Sequence, residues 1–238
     1  MYNYIILLMV VVLKRILLIV LSLIICITSC FFFLSESSKL SSNNECYISK
    51  NTVVIDAGHG GIDAGTSGVD GSKEKDINLC IAKSLYDFLM VCGINSVLIR
   101  NNDTEFYKQG EERIKSDLYN RLDFVNSVEN AVLISIHQNH FENESEWGTQ
   151  IWYSANTKES KELADSVLST VKEFIQPENS RENKESDSSY YILYKASVPS
   201  IMIECGFMSN YEENKKLQST NYQNDFAFCI LSGICNQI

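Results

Sequence analysis

A short β-branched run, Asn51-Thr-Val-Val-Ile-Asp56, passes directly into Ala57-Gly58-His59-Gly60-Gly61. An apolar run of this length, without polar alternation, reads as a strand covered on both faces. The glycines after it permit positive φ and close backbone approach. A strand covered on both sides needs helices above and below the sheet, and the rest of the chain supplies them. Ile77–Cys92 carries a helical apolar stripe and is followed by Gly93 as a stop signal. Asn95–Arg100 reads as a second strand, Asn101–Arg113 as a polar loop and Leu118–Val128 as a helix. Ala131–Ile136 is a third strand ending at His137, and Thr149–Tyr153 is a fourth. Ser160–Ile175 is an amphipathic helix, Pro177–Ser189 a charged loop, Ser200–Glu204 a fifth strand and Tyr222–Ile234 a closing helix. This alternation predicts a single α/β domain over residues 51–238, with a twisted, mostly parallel sheet and helices on both faces.

In such folds ligands sit beyond the carboxyl ends of the strands. His59 follows the first strand, His137 follows the third, and Glu204 ends the fifth. If those strands are neighbours, three chemically capable side chains meet at one edge of the sheet. A lone histidine is more often structural, but two placed just past strand ends, with an acid before a helix, fit a metal site. Imidazoles with a carboxylate suit zinc, and three protein ligands leave a fourth position open, the catalytic rather than structural arrangement. Hydrolysis then needs a further, non-ligand carboxylate to move protons. Glu74 and Glu204 are the candidates for the two acidic roles. The loop is a poor match for a phosphate cradle, because no Lys or Ser/Thr follows the glycines at P-loop spacing.

Outside this set the readings stay divided. Asp56 could orient His59 through a hydrogen bond or simply be satisfied by loop backbone. Asn139 could contact substrate or cap its loop. Arg100 and Arg121 could bind substrate carboxylates or pair with the chain's own acids, the latter being preferred. Six of the eight cysteines lie beyond residue 34 and show no metal-binding spacing. Cys80, Cys92, Cys229 and Cys235 fall in apolar patterns and are expected as buried thiols.

The chain of 238 residues carries a net charge of −10, and without Lys14 and Arg15 the remainder carries about −12. So acidic a domain repels phosphates and is a poor nucleic-acid binder. Residues 1–34 are almost wholly apolar, and Ile16–Leu34 runs 19 residues without a charge, long enough to span a bilayer. Lys14 and Arg15 before this run predict export of the chain beyond it. An uncleaved membrane anchor is the preferred reading. A lipoprotein signal at Ile27-Thr28-Ser29-Cys30 and ordinary secretion are the alternatives. Residues 35–50, Ser-rich at their start, read as a polar linker.

Four segments, Val53–Gly61 (VVIDAGHGG), Glu74–Leu79 (EKDINL), Ser135–Asn139 (SIHQN) and Ile203–Asn210 (IECGFMSN), resemble the signature blocks of the zinc-dependent N-acetylmuramoyl-L-alanine amidases, in order and spacing. The resemblance covers residues 51–238. It implies one Zn2+ per chain held by His59, Glu74 and His137, with Glu204 as the catalytic glutamate. It implies a peptidoglycan substrate cut between the lactyl group of muramic acid and L-alanine. The N-terminal apolar segment and Asp117–Asn126 (DLYNRLDFVN) are similar to the germination-specific branch found in endospore formers, which implies a part in muramic-δ-lactam formation in spore cortex. A vegetative autolysin, a zinc peptidase acting on wall cross-links and a catalytically silent wall-binding protein are the rival readings. An accessory regulatory protein is a further expectation, since ungated wall cutting endangers the cell. His140 and Cys205 depart from the family pattern. They are expected, respectively, as a solvent-facing loop residue and a side chain turned from the site by strand alternation.

Overall fold

The computed structural model describes residues 51–106 and 113–237, with Lys14, Ser22 and Thr28. Apart from those three, the expected anchor or signal (1–34) and linker (35–50) lie outside the described residues, as does the middle of the loop expected over Asn101–Arg113.

Six strands form one sheet among the described residues, in the order β2-β1-β3-β6-β4-β5. They are β1 (Thr52–Ala57), β2 (Ser96–Leu98), β3 (Ala131–Asn139), β4 (Gln150–Tyr153), β5 (Lys184–Glu185) and β6 (Ser200–Phe207). β1 is parallel to β2 and β3, and β3 to β6. β4 runs antiparallel to β6, with β5 parallel beside it. The helices are α1 (Glu74–Val91), α2 (Arg113–Ser127), α3 (Lys158–Phe174), α4 (Tyr191–Lys195), α5 (Tyr211–Leu217) and α6 (Thr220–Cys235). The expected α/β class and mostly parallel sheet are therefore present.

Strand alternation divides the core. Val53, Ile55 and Ala57 of β1, Val132, Ile134 and Ile136 of β3, and Ile201, Ile203 and Cys205 of β6 face one layer, packed on α1, α3 and α6. Val54 and Leu133 face the other layer with Leu122 and Val125 of α2 and Ile192 of α4. Each fully buried aliphatic contributes roughly 2 kcal/mol. On this second face the strands exchange apolar residues for polar ones toward their carboxyl ends. Asp56 and Ser135 are register partners, and His137 lies opposite Glu204. The face under α1, α3 and α6 is sealed by hydrocarbon; the face under α2 and α4 becomes polar at the carboxyl ends of the strands.

Several boundaries differ from expectation. α1 begins at Glu74 rather than Ile77, since its first turn is polar; Glu74 and Asp76 there suit the positive end of the helix dipole. Gly93, at φ 73°, ends the helix as expected. β3 continues to Asn139, so His137 lies inside the strand, just before a register shift. The expected charged loop over Pro177–Ser189 contains the two-residue β5, and α4 and α5 are additional short helices. Cys229 is buried as expected, but Cys80, Cys92 and Cys235 are exposed. Cys80 falls beside, not within, the buried stripe Ile77, Ile81, Leu85, Leu89.

Candidate metal centre

The loop after β1 turns left-handed at His59 (φ 63°), an uncommon conformation for a residue with a side chain. It is held there from several directions. Gly60 and Asp63 exchange backbone hydrogen bonds of 2.9 and 3.1 Å. The buried Arg100 donates to the carbonyls of Ala57 (2.8 Å), Gly58 (3.0 Å) and Lys75 (2.8 Å). Arg121 donates to the carbonyls of Ala57 (3.0 Å) and His59 (2.8 Å). Gly58 is required by space, because a Cβ there would lie 2.2 Å from Cε1 of His137.

Glu74 opens α1 and is almost fully buried, with both oxygens occupied. Oε2 accepts from the backbone N–H of Thr66 at 2.9 Å and lies 3.2 Å from Nε2 of His59. Oε1 accepts from the backbone N–H of Gln138 at 3.0 Å and lies 3.0 Å from Nδ1 of His137. The two imidazoles meet edge to face, centroids 5.0 Å apart. One ligand atom from each of His59, Glu74 and His137 falls within 4.8 Å of the others, so the three could hold a metal ion.

Nδ1 of His59 lies 2.7 Å from Oδ2 of Asp63. A carboxylate there holds the proton on Nδ1 and orients the ring, so that Nε2, which faces Glu74, is the nitrogen that would give up its proton to a metal ion. Burial opposes the charged form of His59, but its hydrogen bonds to Asp63 and Glu74 outweigh this and raise its pKa to about 10. Burial acts on Glu74 in the opposite sense and is overcome by the two histidines, which hold it far below the carboxylate range.

Glu204 projects from β6 beside His137. Burial, together with the charge of Glu74 and against the pull of the histidines, raises its pKa to about 7. Its Oε2 is buried without a hydrogen-bond partner among the described residues. Two imidazole nitrogens and a carboxylate between them form a donor set that fits a divalent cation, with the Glu204 carboxylate standing by outside it.

The structure thus brings together His59, Glu74, His137 and Glu204. It separates the other candidates from them. Asp56 does not reach His59 as a hydrogen-bond partner; it binds Arg121 Nη1 and the hydroxyl of Ser135 (2.8 Å). The orienting acid is Asp63, which sequence reasoning missed; its only signal was an acid four residues after His59 in the glycine loop. Asn139 accepts from the N–H of His140 at 2.8 Å and acts as a loop cap. Arg100 clasps backbone carbonyls rather than acids, while Arg121 pairs with Asp56 and Asp117, the preferred expectation for it. His140 is exposed and Cys205 is buried on the other face, both as expected.

Arg121 and Asp56 are each 2% exposed. Arg121→Ala leaves a buried carboxylate uncompensated and frees the His59 carbonyl, so a loss of about 3–5 kcal/mol is expected in urea unfolding. Burial would raise the Asp56 pKa, but Arg121 holds it below the ordinary value. The contribution of the pair is therefore complete above the unfolded Asp pKa, near 4, and is lost as pH falls through the folded value.

A cleft of about 410 Å3 opens beside the triad, walled by β1, β3 and β6 on one side and by Leu118, Tyr190 and Tyr191 on the other. A triad of side chains that could hold a metal ion, a carboxylate beside it and an adjoining cleft at strand ends fit a hydrolase built on an α/β sheet. The particular kind is given by likeness. A family model described as N-acetylmuramoyl-L-alanine amidase matches residues 53–236. The germination-specific N-acetylmuramoyl-L-alanine amidase of Bacillus subtilis (strain 168) is 29% identical over 203 residues, covering 81% of this chain and 84% of that protein. A putative N-acetylmuramoyl-L-alanine amidase of Buchnera aphidicola is 30% identical over 237 residues, covering 79% of this chain and 94% of that one. The CwlD amidase of Clostridioides difficile, solved in complex with the GerS lipoprotein, superposes with a TM-score of 0.74 at 36% identity, covering 79% of this chain and 98% of that one. The chain belongs to the N-acetylmuramoyl-L-alanine amidases and is an enzyme of peptidoglycan hydrolysis.

Proposed function

We propose that the chain is a zinc amidase of spore-cortex maturation, cutting the amide between the lactyl group of N-acetylmuramic acid and L-alanine. The observation that carries the chemistry is the meeting of His59, Glu74 and His137 within 4.8 Å, with Glu204 opposite His137 across the β3–β6 ladder. In this reading His59, Glu74 and His137 hold one Zn2+. Bound zinc supplies Lewis acidity, sharpening both the carbonyl and the attacking water. Glu204 takes the proton from that water as oxygen adds to the lactyl carbonyl. It returns a proton to the amide nitrogen as the C–N bond breaks, releasing the lactyl acid and the free amine of the stem peptide. A carboxyl with pKa about 7 is suited to carry a proton both ways near neutrality.

The cortex assignment draws support from the likeness to the germination-specific amidase of Bacillus subtilis and to CwlD. The latter was solved with a lipoprotein, which supports an accessory partner for this chain too. Residues 1–34 then act as membrane anchor and 35–50 as linker, with the catalytic domain outside the cytoplasmic membrane.

The decisive experiment digests purified peptidoglycan with the full chain and identifies products by mass spectrometry. Muramic acid freed of intact stem peptides, abolished by chelator and restored by zinc, is expected; shortened peptides would overturn the amidase reading. Spores of a strain lacking the chain should lose muramic-δ-lactam, and unchanged lactam would overturn the cortex role. Asp63→Asn should weaken zinc binding about 10–100-fold in competition with a chromophoric chelator, because the partner that orients His59 is lost.

A further inference from the structure

The cleft has two unlike halves. One carries His59, His137 and Glu204; the other includes Leu118, Tyr190, Tyr191, Ile192 and Met202. In the second half Tyr190 has a rigid backing. Its ring stacks on Trp152, centroids 4.4 Å apart and planes 29° from parallel. Lys184 Nζ stands 5.2 Å from the Trp152 ring centroid, close enough for attraction to the aromatic face.

Register connects this stack to the chemistry. Trp152 on β4 lies opposite Met202 on β6, and Gln150 opposite Glu204. Glu204 in turn lies opposite His137. Trp152 and Met202 are therefore two residues along the ladder from Gln150 and Glu204, on the same face of the sheet. The backbone of Tyr190 is held independently of its ring. Its N–H donates to the Asp187 carbonyl at 3.1 Å, and its carbonyl accepts from the Tyr194 N–H at 2.9 Å.

We propose that Tyr190, backed by Trp152, is the platform that seats a pyranose ring of the glycan strand beside the amide to be cut. The inference rests on the amidase assignment above. A pyranose chair presents a face of C–H bonds, which suits the electron-rich face of an aromatic ring. The stem peptide fits this half less well, because its later residues carry carboxylates. Arg121, a cation of the cleft lining, is already engaged by Asp56, Asp117 and two carbonyls, and Lys184 stands against the Trp152 ring. The C–H face of an N-acetylated pyranose and its acetamido methyl match an apolar, aromatic wall, and the one charge of the free disaccharide sits on the lactyl arm rather than on that face.

The chain has two tryptophans, Trp147 and Trp152, so in a Trp147→Phe background tryptophan emission reports Trp152 alone. The full chain, without added zinc, is titrated with the N-acetylglucosaminyl–N-acetylmuramic acid disaccharide and, separately, with free stem tetrapeptide. The disaccharide is expected to shift Trp152 emission saturably and the tetrapeptide to leave it unchanged. Tyr190→Ala should weaken disaccharide binding roughly tenfold, and Tyr190→Phe should restore it to within about twofold. With zinc restored, Tyr190→Ala should raise KM for peptidoglycan more than it lowers kcat. A response to the tetrapeptide alone, no response to either probe, or wild-type disaccharide binding by Tyr190→Ala would each overturn the platform. Because the disaccharide lacks the lactyl–alanine amide, those outcomes leave the amidase reading standing, whereas absent peptide release by the wild-type chain strikes that reading and with it the platform's place beside the amide.

Discussion

Glu204→Gln should keep zinc at the wild-type stoichiometry while stem-peptide release falls by about 100- to 10,000-fold. Glutamine matches glutamate in shape and removes only the ability to accept and return a proton. Folding should not suffer. The pKa of Glu204 is raised to about 7 by burial and by the nearby charge of Glu74, so a neutral side chain lifts a burden from the folded state rather than adding one. Its Oε2 also has no hydrogen-bond partner among the described residues, so the substitution breaks no bond made by that atom. Elemental analysis and mass spectrometry of digested peptidoglycan give the two readouts. Release at the wild-type rate would remove Glu204 from the proton path, and loss of zinc would reassign it as a ligand.

How far such a site can be read from sequence depends on how locally each residue's role is determined. β1 was legible because an unbroken β-branched run has one economical use, a strand between two helical layers. His59, Glu74, His137 and Glu204 were legible because each stands beside an apolar run or in a recognisable block. The position of His137 was nevertheless misjudged. The apolar run ends at Ile136, but the ladder with β6 continues. Hydrophobicity marks where a strand leaves the core, not where its hydrogen bonds stop. β5, α4 and α5 are too short to display a period. Asp56 and Asp63 were harder for another reason. The partner of Asp56, Arg121, is 65 residues away, and nothing in the local sequence announces it. Asp63 reaches His59 only because the glycine loop folds back at Gly60, a turn that several loop conformations could have replaced.

Glu74 should be the least replaceable residue of the triad, and its substitution separates a metal role from a structural one. Its two oxygens contact both imidazoles and accept from the N–H groups of Thr66 and Gln138. Glu74→Ala removes the anionic ligand and strips the acceptor from the buried N–H of Gln138 and the half-buried N–H of Thr66, the buried one alone costing about 1–3 kcal/mol. Zinc affinity should fall by more than about 100-fold, beyond the range for losing an orienting partner such as Asp63. Because Glu74→Ala also loosens the fold, Glu74→Gln is the sharper variant. Its amide oxygen still accepts from one backbone N–H, but the negative charge opposite His59 and His137 is gone. In wild type, added zinc should raise the thermal midpoint in proportion to RT ln(1 + [Zn]/Kd), and digestion should follow zinc occupancy. In Glu74→Gln the apo midpoint should fall, because the charge pairing with His59 and His137 is lost, but by less than in Glu74→Ala, while the zinc-dependent rise and peptide release both disappear. A Glu74→Gln chain that still gains stability from zinc and still frees stem peptides would show that the ion, if one is used, is gripped by a different set of side chains.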